Sequence, residues 1–180
     1  AASDVYKRQT YKKGTDFSIY MDTDGLIHAG SGLDQVTWMD VRVGDWVATP
    51  RHGKPVEINA LWYNALCTMD MLQAKFGDND DSYRQLASLV KTSFNKRFWN
   101  ENTGCLYDVV DEDDDTIRPN QIYAVSLPFT MPDMEREKAI VDTVMDKLYV
   151  GCGLRSLDPD HKDYHPIYIG SLSNRDHAYH

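Results

Sequence analysis

Thr37-Trp38-Met39-Asp40 places a carboxylate two residues from an indole, ahead of the longest helical pattern in the chain. An apolar ring beside a carboxyl group disfavours the charged form and raises its pKa. A general acid working near neutral pH needs that shift. The same Asp can instead cap backbone N–H groups of its own loop, and local sequence favours that plainer role. Asp34, in Ser31-Gly32-Leu33-Asp34, is a second carboxylate of the same kind. Thr49-Pro50-Arg51 then sets a guanidinium at a rigid turn, with Glu57 and Asn59 in the first turns of the following helix. Glu57 is favourable against the helix dipole whatever else it does. Asn59 and Trp62 could line a polar cleft at that helix end, although the spacing of Trp62 fits the apolar stripe. Pro119-Asn120-Gln121 opens a later helix with two amides, which can cap it or hydrogen-bond hydroxyl groups.

Other constellations carry less. His161/His165 and His177/His180 have metal-compatible spacing but lack Cys or carboxylate partners at metal-site spacing, so no metal is expected. The run Asp111–Asp115 has neither the glycine nor the alternation of a calcium loop and reads as a solvated turn. Gly30-Ser31-Gly32 and Gly151-Cys152-Gly153 do not extend to a dinucleotide fingerprint, and no P-loop, G-x-S-x-G or H-E-x-x-H occurs. No cofactor is expected.

Elements that position these residues are legible from periodicity. Residues 1–9 match no pattern and read as a non-native, adaptor-derived tail, which leaves 10–180 as the domain. Ser18–Met21 and Leu26–Ala29 flank Asp24-Gly25, a tight-turn signal, and predict a hairpin. Residues 30–53 read as a long loop. From Pro55, apolar residues recur at Ile58, Leu61, Trp62, Ala65, Leu66, Met69, Leu72 and Phe76, so a helix runs to a stop at Gly77. A second helix opens at Asp81-Ser82 and ends near Phe98-Trp99, close enough to pack on the first as a hairpin. Gly104–Val110 predicts a strand. A helix follows Pro119 to about Leu127, and a last one carries Met134 to Leu148. No helix is expected between Gly153 and His180.

Composition excludes several classes of function. The 180 residues carry a net charge of −9, which disfavours nucleic acid, since phosphate binding needs clustered positive charge. No apolar run approaches the roughly 18 residues of a membrane span, so no membrane is expected. Three irregularly spaced cysteines argue for a reducing, cytoplasmic compartment. Eleven Tyr and four Trp against five Phe give most rings a polar handle, which suits wet core edges or sites that stack sugar-like ligands.

Six stretches together resemble one family. DGLIHAG (Asp24–Gly30), TWMD (Thr37–Asp40), TPR-x-GKPVEINALWYNAL (Thr49–Leu66), RPNQIYAVSLP (Arg118–Pro128), GLRSLDP (Gly153–Pro159) and Y-x-G-x4-RDHAYH (Tyr168–His180) are similar to the C-terminal amylo-α-1,6-glucosidase domain of glycogen debranching enzymes. The match runs in order from about Phe17 to His180. It implies a mainly α fold, an (α/α)6 barrel of the six-hairpin glycosidase type, with small β-hairpins in the loops. It also implies hydrolysis of α-1,6-linked glucose at branch points of glycogen or limit dextrin, with inversion, as part of glycogen catabolism. Asp40 falls on the family's general acid. Trp38, Arg51, Glu57, Asn59, Asn120 and Gln121 fall on motif positions that the resemblance implies line the glucose site. Trp62 is kept beside them as a substrate-binding candidate from its place at the helix end, and Arg155, Tyr168, Arg175, His177, Tyr179 and His180 are weaker candidates carried over by the resemblance. The family's base is a Glu downstream of the last motif, and four expected helices fall short of twelve. The chain is therefore read as a truncated domain, inactive alone, with unpaired apolar helix faces that favour association. A non-catalytic glucan-binding module is the alternative, and a helical scaffold for protein partners ranks last, because no repeat at a fixed period is present.

Overall fold

The computed structural model describes residues 9–77 and 80–178, so the reading of 1–9 as a tail lies outside them except at Gln9, which opens a helical turn. The chain is mainly helical, with four small two-stranded antiparallel pairs set in its loops. After a helical turn at residues 9–13, β1 (Tyr20–Met21) pairs with β2 (Ile27–His28) around the expected Asp-Gly turn. The stretch read as a loop holds a second hairpin, β3 (Val41–Val43) with β4 (Trp46–Ala48). Gly44-Asp45 is the turn, and Gly44 takes the left-handed conformation (φ 62°) that a two-residue hairpin of this kind requires.

Strand β5 (Lys54–Pro55) leads directly into α1 (Val56–Phe76), which ends at Gly77 with φ 77°. Gly53, just before β5, admits no larger residue, since a Cβ there would stand 2.8 Å from the Val110 carbonyl oxygen. Helix α2 (Ser82–Arg97) packs along α1. Together they bury Val56, Ala60, Leu66, Val90 and Phe94, with the Phe94 and Phe98 rings stacked 4.4 Å apart. Burial on α1 stops at Leu66; Met71 and Phe76 are exposed, as are Met134 and Met145 further on.

The single strand expected over 104–110 is two. β6 (Trp99–Asn100) pairs with β7 (Cys105–Leu106), and β8 (Val109–Val110) pairs with β5. Tyr107 and Asp108 lie in the break. A 3-10 turn (Pro119–Ile122) continues into α3 (Tyr123–Ser126), and α4 (Met134–Lys147) is capped by Asp133, which accepts from the Arg136 N–H. A short helix, α5 (Leu172–His177), stands where none was expected; Ser171 is its N-cap, accepting from the Asn174 N–H. Local sequence carried that Ser signal, but no apolar period followed it.

One buried cation ties these pieces together. Lys54 Nζ lies 2.7 Å from Asp22 and 2.9 Å from Asp24 in the β1–β2 turn, and 3.7 Å from Asp111 after β8. Arg97, at the end of α2, bridges Asp24 and Asp111. The Lys54 hydrogen bond holds the Asp22 carboxyl down at about 2. Burial alone would raise Asp24, but Lys54 and Arg97 keep it below its ordinary value. A depressed carboxylate stabilises the fold above its unfolded pKa and loses that contribution as pH falls. The thermal midpoint should therefore drop as pH falls from the ordinary 3.8 toward about 2. Lys54→Met should flatten that dependence; a variant with the same acid slope would remove Lys54 as its cause.

Candidate active site

The turn at Thr49 (φ 52°) and Pro50 directs Arg51 inward, where its side chain is fully buried. Its guanidinium forms a two-pronged pair with Glu57 in the first turn of α1, Nη2 to Oε2 at 2.6 Å. On its other edge, Nε donates to Asp108 Oδ2 at 2.6 Å. The β5–β8 pairing sets this up, because the Val56 N–H donates to the Asp108 carbonyl at 3.0 Å and draws the strand break onto the start of α1. Burial would push Arg51 down, yet its two carboxylate partners hold it above its ordinary value. Burial pushes the Asp108 carboxyl up, against the opposing pull of Arg51.

From Asp108 the chain of contacts continues outward. Asn120 Nδ2 donates to Asp108 Oδ1 at 2.8 Å, and Asn120 Oδ1 accepts from Trp38 Nε1 at 2.9 Å. Trp38 is 58% exposed, so its N–H is anchored while more than half of the residue meets solvent. Arg118 Nε stands 3.9 Å from Asp108 Oδ2, and its Nη1 donates to the Ser156 carbonyl. Burial pushes this guanidinium below its usual value, although Asp108 and Asp114 oppose that. Arg118 also borders a polar cavity of about 540 Å³ lined by Trp46, Thr49, Leu157, His161 and His177. Trp46 and His177 stack there with ring centres 5.0 Å apart.

Asp40 is buried immediately before β3. Its carboxylate accepts from the N–H groups of Val36 (2.8 Å) and Thr37 (2.9 Å) and from the Thr37 hydroxyl. This is the capping geometry. The neighbouring indole turns its N–H to Asn120, 82 residues away. Asp34 caps its own loop in the same manner, accepting from the Ser31 N–H at 3.0 Å.

The structure thus joins Trp38, Arg51, Glu57 and Asn120 in one network and places His177 at the adjoining cavity. Three expected cleft residues do other work. Asn59 is fully buried and clamps β2 to α1, accepting from the Ile27 N–H (2.7 Å) and donating to the Ile27 and Pro55 carbonyls. Trp62 sits in the core with its N–H on the Gly25 carbonyl. Gln121 is buried between the Leu106 N–H and the Arg118 carbonyl. An amide or indole satisfied by backbone is indistinguishable in sequence from one that meets a ligand. Arg155 is half-buried, Tyr168 is exposed, and Arg175 is half-buried on α5, each apart from the Arg51 network. Tyr179 and His180 lie outside the described residues. Among the described residues, no three His, Cys, Asp or Glu side chains converge to hold a metal. Asp108, Arg118 and Trp46 were missed. The signal for Asp108 was a lone carboxylate between Leu106 and Val109-Val110 in an otherwise apolar strand pattern.

Comparison with known proteins places the chain. A family model described as amylo-alpha-1,6-glucosidase matches residues 4–180. The glycogen debranching enzyme of Saccharomyces cerevisiae is 28% identical across 92% of the chain. The chain spans only 13% of that relative's length.

Proposed function

The chain belongs to the amylo-alpha-1,6-glucosidase family, and from that premise we propose that it is part of a glycogen debranching glycosidase that releases α-1,6-linked glucose from trimmed branch points. The observation that carries this reading is the Trp38–Asn120–Asp108–Arg51–Glu57 network, which draws four residues of the family resemblance into one connected site beside a polar cavity. The substrate is a branched glucan such as limit dextrin, and the compartment is the cytoplasm. The helices and loop hairpins belong to an (α/α)6 barrel completed by further helices of the intact protein.

Asp40 is the general acid of this reading. In an inverting glycosidase one carboxylic acid protonates the leaving oxygen, while a second carboxylate roughly 6.5–9.5 Å away activates water. That second carboxylate is not among the residues carried over from the resemblance, so the 180-residue chain alone should release no glucose. Incubating the purified chain with limit dextrin tests this; glucose above a boiled control would contradict it.

The hold on Asp40 favours a second reading. A carboxylate already engaged by two N–H groups and a hydroxyl must turn to meet substrate. A glucan-binding module would leave it in place. That reading expects the complete protein to bind dextrin without hydrolysing it.

A further inference from the structure

An Asn side chain has a donor end and an acceptor end, and its neighbours decide which way it lies. At Asn120 one end is 2.8 Å from Asp108 Oδ1 and the other 2.9 Å from Trp38 Nε1. The indole N–H can only donate, and the Asp108 carboxylate, its other oxygen held by Arg51 Nε, accepts. Only one amide orientation satisfies both. The reversed one would set NH2 against the indole N–H and oxygen against the carboxylate. Trp38 has little else to hold it, being 58% exposed, whereas Asp108 is buried and fixed.

The geometry points to Asp108 as a positioning residue that acts through the Asn120 amide to hold Trp38 as a fixed, solvent-facing platform for the apolar face of a sugar ring. The sugar role rests on the glucosidase reading; the positioning of the indole does not. In the sequence Asp108 stands out only as a lone carboxylate in an apolar strand pattern, and its action on Trp38 crosses two hydrogen bonds and 70 residues of chain.

The test is a swap of donor and acceptor. In Asp108→Asn, Arg51 Nε still needs an acceptor, so the new amide gives it the oxygen and turns NH2 toward Asn120. Donor then faces donor, Asn120 must reverse, and the Trp38 bond is lost. Adding Asn120→Asp supplies a carboxylate that accepts from both sides and restores it. Indole N–H exchange in the 15N-labelled chain reads this, with Trp38 assigned through Trp38→Phe. Trp62, whose N–H is bound to the Gly25 carbonyl, serves as internal control. Trp38 exchange should quicken about tenfold in Asp108→Asn, with Trp62 unchanged, and return to within about twofold in the double variant. Unchanged Trp38 exchange in the single variant, or no recovery in the double, overturns the positioning. If the single variant does not fold, the Asn120 amide protons of the unmodified chain decide instead. Slow exchange supports the proposal, and exchange at the rate of a free amide overturns it. Limit dextrin should also shift the Trp38 indole resonance of the unmodified chain. No shift there overturns the platform role while leaving the positioning result standing, so the two failures are separable.

Discussion

Asp40→Asn in the complete enzyme should lower turnover on limit dextrin by about two to four orders of magnitude, the range expected when a general acid is removed. Asn fills the same volume and keeps one oxygen at the Oδ2 position, which the Val36 N–H meets at 2.8 Å and the Thr37 N–H at 3.1 Å, so the loop should survive. What it lacks is the proton that the departing sugar oxygen needs. A glucosyl substrate whose leaving group departs as a stable anion, such as α-glucosyl fluoride, needs no such proton. It should keep most of its rate in the variant. Equal losses on both substrates would mean that Asp40 positions rather than protonates. Retained activity with an unaltered pH profile would move the acid to Asp34 or elsewhere.

Arg51→Met should cost the fold about 3–5 kcal/mol, the usual result of removing one partner from a buried ion pair. Glu57 and Asp108 would both be left buried, each having lost its guanidinium at 2.6 Å. Domain stabilities run to about 5–15 kcal/mol in total, so the variant should lose a large share of its stability. The urea midpoint reads this, and a slope that stays constant would show that the compactness of the end states is unaltered. Met/Gln replacement of the Arg51–Glu57 pair should recover part of the loss, because one of the stranded charges is then gone. Lys138→Ala, at an exposed pair with Asp142, should leave the midpoint nearly unmoved. A midpoint equally unmoved in Arg51→Met would show that the buried cluster does not hold the start of α1.

These two residues mark how far the sequence could be read. Punctuation in the sequence marks the first helix and hairpin well: Pro55 before α1, Gly77 after it, and Asp24-Gly25 between β1 and β2 all stand where local chemistry required. The β3–β4 hairpin was missed because each strand has only three residues, too few for alternation to show through the loop. The site residues were legible by type but not by partner. Arg51 is a turn guanidinium until Asp108, 57 residues on, is brought to it by β5 pairing with β8. Asn59 erred the other way, since the Ile27 and Pro55 carbonyls absorb an amide that had read as cleft chemistry, while Trp62 sits in the core where its spacing put it, its N–H on the Gly25 carbonyl. The indole beside Asp40 in sequence turns to Asn120 in space. Function was legible only through the family motifs, because no single residue pair spells out a glycosidase.

The most direct measurement is glucose release from an α-1,6-branched limit dextrin by the complete protein, with the anomer of the first product followed by proton NMR. Free glucose should appear initially as the β anomer, as single displacement with inversion requires. Binding without glucose release, or glucose appearing first as the α anomer, would contradict it.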